Sequence, residues 1–321
     1  MPPSLDISSA THAITAEFAE RGIIGRLHAR EIGDASGEVC VGADEPVVLA
    51  SVFKVLLAME YARQVVAGQL DPGERVRVTA SDRLGGRGTA GCSDDVDMSW
   101  RDLMLFAMSI SDNTAADLVL RRIGLDTVQL LAGELGLAAT HITGGPRQSI
   151  ESMFADLDAR DFADFAVKLP RLGPDQLARL AVLDPARSNA GTARDMTRLL
   201  DLVWTDRAGP AEACAMVRRL MGEQASAARL AGGFEDDVTV SAKSGTVFGV
   251  RNEIGVATYP DGRRFALAVF THGGWGMRRS DVDTAIGQAA RIAVDALRAG
   301  DPTREHDVPR LERRAGVWSA E

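Results

Sequence analysis

Ser51-Val52-Phe53-Lys54-Val55-Leu56-Leu57-Ala58-Met59-Glu60-Tyr61-Ala62-Arg63-Gln64-Val65-Val66-Ala67 is the stretch on which the fold turns. Its apolar residues surround a helix on nearly every side, and a helix apolar all round is a buried one. The run opens with a hydroxyl, and an amine follows three residues on. Ser51 and Lys54 therefore lie nearly one turn apart on one face. The first turn of a helix carries positive backbone potential, which disfavours a cation and suits a lysine acting as a neutral base. By itself the tetrad is weak, because a serine cap followed by a lysine with a snorkelling stem is the plainer reading.

The chain around this helix has 321 residues, enough for one large domain or two interleaved ones. Hydrophobic residues make up 45% and charged residues 25%, which excludes collagen, coiled coil and disorder. No apolar run reaches the roughly eighteen residues needed to span a membrane. As written, the chain starts Met1-Pro2-Pro3 without a secretory signal, so it is expected in the cytoplasm unless export follows another route. A net charge of -9 without a basic block argues against nucleic acid as a partner. Cys40, Cys92 and Cys214 are odd in number and far apart, and the five histidines are scattered, so neither a disulfide framework nor a metal site is expected. Of 36 basic residues only Lys54, Lys168 and Lys243 are lysine. A lysine kept among so many arginines invites a chemical question, because lysine gives up its proton in a protein and arginine does not.

Working outward, residues 8–21 read as a helix. Ile23–Ile32 and Glu38–Val41 read as strands joined through Gly33-Asp34-Ala35-Ser36-Gly37. Helices follow at Trp100–Ser109 behind a Ser99 cap, Thr114–Ile123, Asp126–Leu135, Gly191–Trp204 and Glu212–Met221. Strands return at Val238–Ala242, Asn252–Thr258 and Phe265–Phe270, and residues 280–298 close with an amphipathic helix. Two strands at the start and three at the end predict an α/β (α+β) fold. A five-stranded antiparallel sheet is built from both ends, flanked by terminal helices, with an inserted all-helical domain. The expected boundaries are 1–46 with 229–300 for the sheet domain, 47–228 for the helical domain and 301–321 for a polar, frayed tail.

Two more short motifs carry possible chemistry. Ser111-Asp112-Asn113 sits between two helices, where such residues are also preferred caps. Lys243-Ser244-Gly245-Thr246 ends a predicted strand, where a lysine, two hydroxyls and an unhindered glycine suit an anion and an extended ligand backbone. The plainer reading there is an edge strand charged against unwanted pairing.

In this order, Ser-x-x-Lys, Ser-Asp-Asn and Lys-Ser/Thr-Gly form the signature set of serine β-lactamases and penicillin-binding proteins. Residues 111–118, Thr192-Ala193-Arg194-Asp195-Met196 and Arg251-Asn252-Glu253-Ile254-Gly255 further resemble class A β-lactamases, over roughly residues 8–298. The resemblance implies a β-lactamase/transpeptidase-like fold and a metal-independent serine hydrolase without a cofactor. It makes Ser51 the nucleophile that forms an acyl-enzyme and Lys54 its base or proton relay. Backbone N–H groups of Ser51 and Thr246 would form the oxyanion hole. Ser111 would pass a proton to the leaving nitrogen, and Lys243 would supply positive potential. Asn113 would hold the acyl side-chain amide, and Ser244, Gly245 and Thr246 the substrate carboxylate and backbone.

Two departures stand out. The class A loop glutamate that activates the deacylating water is missing, because Gly145-Pro146-Arg147 aligns about there. The segment from Pro146 to Asn189 is also roughly thirty residues longer than the resemblance leads one to expect, with helix-like pieces at Phe154–Val167 and Asp175–Leu183. Glu151 is the nearest candidate for a deacylation base, although surface charge is the plainer reading. The expected partner is a β-lactam or a related amide or ester carrying a carboxylate. The alternatives are an intracellular esterase, amidase or peptidase acting on a non-lactam substrate, or a penicillin-binding module that acylates without efficient turnover. A role in antibiotic resistance would place the protein outside the cytoplasm, contrary to the missing signal.

Overall fold

The computed structural model describes residues 6–34, 37–273 and 278–300. The chain starts with helix α1 (Ile7–Glu20), opened by Asp6, whose carboxylate accepts from Ser9 N at 2.7 Å. Strands β1 (Ile23–Glu31), β2 (Glu38–Val41) and the short β3 (Val47–Val48) follow. Helix α2 (Lys54–Val66) comes next, then a hairpin of β4 (Arg75–Val78) and β5 (Val96–Ser99). Helices α3 (Trp100–Ser109), α4 (Asn113–Ile123) and α5 (Leu125–Glu134) form the middle. A long excursion carries α6 (Pro146–Asp156), α7 (Phe162–Lys168) and α8 (Pro174–Leu177). The chain then returns through β6 (Ala190–Gly191), α9 (Ala193–Trp204) and α10 (Ala211–Gly222) to β7 (Thr239–Val247), β8 (Val250–Thr258), β9 (Arg264–Gly273) and α11 (Arg279–Ala299).

The main sheet has the order β2-β1-β9-β8-β7 and is antiparallel throughout. The first two and last three strands meet where β1 pairs β9, with Leu27 opposite Val269. Both faces are covered, which is why β9 reads as an unbroken apolar run instead of alternating. On one face Leu27, Ala29, Leu267 and Val269 pack under α1 and α11. On the other, Ile254, Val256, Ala266 and Ala268 join the core around α2, α3, α4 and α9. Among the polar members of the buried α2, Gln64 donates to Ile123 O at 3.1 Å and to Glu60 at 2.9 Å.

Several expectations change in detail. The helical middle also holds two short sheets, β4 with β5 and β3 with β6, whose strands of two to four residues leave too little periodicity to read. The helix-like piece at 154–167 is the end of α6 and the whole of α7. Between them Asp158 takes a left-handed φ of 48°, and Ala159 N bonds back to Phe154 O at 2.8 Å, a C-terminal closure of α6. Asp161 then caps α7 through Asp164 N at 2.8 Å. The piece at 175–183 splits into α8 and a 3₁₀ turn at Ala181–Leu183. Strand β7 runs five residues past the expected end, so Lys243–Thr246 lies inside the edge strand. Ala35 and Ser36 of the first hairpin, residues 1–5 and the tail 301–321 lie outside the described residues.

Candidate active site

The Ser51 motif does not begin with α-helix. Ala50–Phe53 forms a 3₁₀ turn that runs into α2 at Lys54. In a 3₁₀ turn, side chains three residues apart eclipse one another, so Ser51 and Lys54 line up more closely than α-helical spacing gives. Ala50, just before the serine, has a left-handed φ of 48°, and Ser111 across the site has φ of 60°. Strain of this kind at non-glycine residues persists where surrounding structure over-determines it.

Lys54 is fully buried. Its Nζ donates to Ser111 O at 2.9 Å, Asp112 O at 3.3 Å and Asn113 Oδ1 at 3.0 Å, and lies 3.3 Å from Ser111 Oγ. Desolvation, then the charge of Lys243, holds its pKa well below the ordinary lysine value, while Asp112 opposes them. Asp112 is structural: it is fully buried, caps α4 through Ala115 N at 3.0 Å and accepts from Thr89 N at 2.7 Å and Thr89 Oγ1 at 2.8 Å. Gly88, with φ of +79°, is fixed by that contact, because a Cβ there would lie 2.3 Å from Asp112 Oδ2.

Lys243 is also fully buried, and its Nζ donates to Ser244 O at 2.9 Å. Desolvation brings its pKa to about 7, with Glu253 opposing the shift and Arg229 adding to it. Gly245 is required by close approach: a Cβ would meet Leu49 O at 2.7 Å, so only a bare backbone lets β7 lie against the Ser51 turn.

The elements converge on a cleft of about 120 Å³. Ser51, Asn113 and Thr246 line it, with Ser149, Ile150 and Met153 of α6 opposite. Lys54 reaches Asn113 and Ser111 from outside that lining, and Lys243, Ser244 and Gly245 belong to the same strand as Thr246. No carboxylate is among the described residues that line the cleft. Glu151 is exposed and outside the lining, so the structure does not bring it to Ser51. Pro146 takes the first turn of α6, and Arg147 is drawn to Asp117 at 3.3 Å.

Four further neighbours of the site were not singled out as site residues from the sequence, because each reaches it through a long-range contact. Arg229 is buried and donates to Gly245 O at 2.9 Å, Thr246 Oγ1 at 2.6 Å and Asp283 Oδ1 at 2.8 Å. Gln224 accepts from Ser244 N at 2.5 Å and donates to buried Glu253 at 2.8 Å. Asn252 donates to Val48 O at 2.7 Å, just ahead of the Ser51 turn. Asn189 closes the excursion, accepting from Thr143 N at 2.8 Å and Gly144 N at 3.2 Å while donating to Gly144 O at 2.9 Å.

Among the described residues one potential metal cluster, His28 with Glu38 and Cys40, lies on β1 and β2. Arg194 occupies it, donating to Glu38 at 2.6 Å and standing 3.1 Å from His28 Nε2 and 3.6 Å from Cys40 Sγ. The place an ion would take holds a guanidinium.

A family model described as the β-lactamase enzyme family matches residues 9–297. The chain is 29% identical over 319 residues to a protein named β-lactamase regulatory protein BlaB of Streptomyces cacaoi, covering 94% of this chain and 99% of that one. Its fold is similar to a β-lactamase from Sphaerobacter thermophilus, with 23% identity, TM-score 0.72 and 91% and 97% of the two chains covered. It is similar also to a β-lactamase from Streptosporangium roseum, at 19%, 0.74, 90% and 98%. An acyl-enzyme complex of a PBP-A variant with penicillin G shares the fold at 18%, 0.71, 93% and 100%. The three motifs, the sheet assembled from both chain ends and the family match together make this chain a member of the β-lactamase enzyme family, of the serine hydrolase type.

Proposed function

We propose that the protein reacts with β-lactams, or with related amides or esters, to form an acyl-enzyme on Ser51 that hydrolyses slowly. Ser51 Oγ attacks the carbonyl carbon and gives its proton to the neutral Lys54 amine. The backbone N–H groups of Ser51 and Thr246 hold the oxyanion. The carbon–nitrogen bond then breaks, and Ser111 passes a proton to the nitrogen, drawn ultimately from the Lys54 ammonium. Lys243 attracts the ligand carboxylate. The Thr246 hydroxyl accepts from Arg229 and so keeps its own proton to donate to that carboxylate.

The observation that carries the reading is the buried Lys54 amine, bonded to Ser111 and Asn113 beside a cleft lined by Ser51, with no carboxylate among the described residues that line it. Acylation has its base. Deacylation needs a second base holding water within about hydrogen-bond reach of the ester, and the polar side chains among the described residues that line the cleft are hydroxyls and amides. The similarity to a protein named as a β-lactamase regulator favours a second reading within the same chemistry, a sensor whose adduct is the signal.

Purified protein mixed with a labelled penicillin and followed by intact mass tests both. One stable adduct per chain, lost on Ser51→Ala, supports slow acyl-enzyme formation. Rapid turnover without an adduct would overturn the slow step, and ester turnover without any penicillin adduct would favour a non-lactam substrate.

A further inference from the structure

Two elements on opposite sides of the Ser51 cleft are joined by a row of four aromatic rings. On the sheet side, Phe248 occupies the turn between β7 and β8, two residues beyond Thr246. Its ring centroid lies 5.9 Å from that of Phe165 in α7. Phe165 lies 5.7 Å from Phe154 of α6, and Phe154 meets Phe162 edge-on at 5.0 Å. On the helical side, the Phe162 ring comes within 3.4 Å of where a Cβ on Gly85 would be. Neighbouring Leu84 donates its backbone N–H at 3.0 Å to Thr114 Oγ1, next to Asn113. The row thus runs from the turn after the strand bearing Thr246 to the Gly85 loop, which is bonded through Leu84 to the helix bearing Asn113, and Thr246 and Asn113 both line the cleft.

Helix α7 contributes no buried residue, with Phe162 47% and Val167 54% exposed. Ring contacts and local polar contacts, Lys168 with Asp158 O and Arg160 with Asp164, hold it in place without a core of its own, the condition under which a segment opens locally before the rest of a protein. Its neighbour α6 supplies Ile150 and Met153 to the cleft, and the 3₁₀ turn beyond α8 supplies Val182.

We propose that α7 and its aromatic row form a strap across the mouth of the Ser51 cleft that admits compact ligands and hinders bulky ones. The space it leaves is faced by Phe53, Ile150, Met153, Val182 and Val247, and takes a small apolar acyl substituent. This choice of substituent rests on the acyl-transfer reading above; the strap itself does not.

Access is measured first without lactam chemistry. In Ser51→Cys protein, the rate of modification at position 51 is read by peptide mass, which separates it from Cys40, Cys92 and Cys214. A methanethiosulfonate supplies the small probe and a dye maleimide the bulky one, each calibrated on a free thiol. With an open form about one-tenth populated, the bulky probe should lag the small one by about tenfold, and Phe165→Ala should remove that lag. Phe162→Ala, at a half-exposed ring outside any core, should act in the same direction if Phe165→Ala perturbs folding. Equal size discrimination with and without the rings would overturn the strap. In protein retaining Ser51, Phe165→Ala should speed acylation by a penicillin with a bulky side chain more than by one with a compact side chain. If no penicillin reacts, the acyl-transfer reading falls, while the thiol measurement still decides the strap.

Discussion

Lys54 Nζ lies 2.9 Å from the carbonyl oxygen of Ser111 and 3.3 Å from its hydroxyl, inside a fully buried environment. One amine therefore touches the residue proposed for the second proton transfer while sharing a turn with Ser51, the proposed nucleophile. Because its pKa is lowered, the neutral base is present above that value and lost as pH falls through it. Acylation should decline on acidification. Lys54→Arg keeps a cation but cannot release the proton, and should slow acylation by roughly a thousandfold, within the range for loss of a general base. Burst kinetics with a chromogenic lactam measure this, and a loss equal to that of Lys243→Arg would mean that Lys54 acts only through charge.

Lys243 helps to hold the Lys54 pKa down. Removing its charge in Lys243→Met should let Lys54 bind a proton more readily, moving the acid limb of the acylation profile to higher pH. Lys243→Arg preserves the charge and should leave that limb in place. Lys243 itself titrates at about 7, so affinity for a ligand carboxylate should weaken as pH rises through that value, and Lys243→Arg should abolish this alkaline loss. The pH dependence of the acylation rate, taken on all three proteins, checks both limbs.

Gly245→Ala would place a Cβ 2.7 Å from Leu49 O. The edge strand must then move from the Ser51 turn, at a cost of about 1–3 kcal/mol for overpacking. A lower melting temperature together with slower acylation is the expected pair of outcomes. Unchanged acylation would mean that the register between these two segments is not needed for reaction.

Asn189→Ala removes the side chain that ties Thr143 and Gly144 to the far end of the excursion. The loss should be about 1–3 kcal/mol, because buried backbone groups are left without partners. Limited proteolysis should show new cleavage within residues 144–188 before any cut in the sheet.

Glu151 is exposed and outside the cleft lining. Glu151→Gln should leave both the burst and the slow phase unchanged. A selective loss of the slow phase would show that α6 moves to deliver this carboxylate during deacylation.

The motif tetrads were legible because their chemistry resides in short spacings, and the long helices and strands because burial on one or both faces leaves a period in the sequence. The Ser99 cap and α3, for example, are found where the sequence puts them, with Asp102 N bonded to Ser99 at 3.1 Å. The break at Asp158 was not legible: an aspartate in the left-handed region is decided by the bonds that close α6 around it. Arg229 and Gln224 carried no signal either, since an arginine or glutamine in a polar stretch says nothing of the strand it will meet.

The sequence by itself therefore determined the order of elements, which follows from local spacing and hydrophobic period, and it carried the three motifs by which the chain resembles its family. Only the tertiary structure decided that Lys54 and Lys243 are both buried, since desolvation depends on what packs around a side chain. It also decided that Glu151 stays outside the cleft, and that the excursion joins the Phe248 turn to the Gly85 loop through edge-on and tilted ring contacts. Contacts between residues far apart along the chain set those features, and no period or spacing records them.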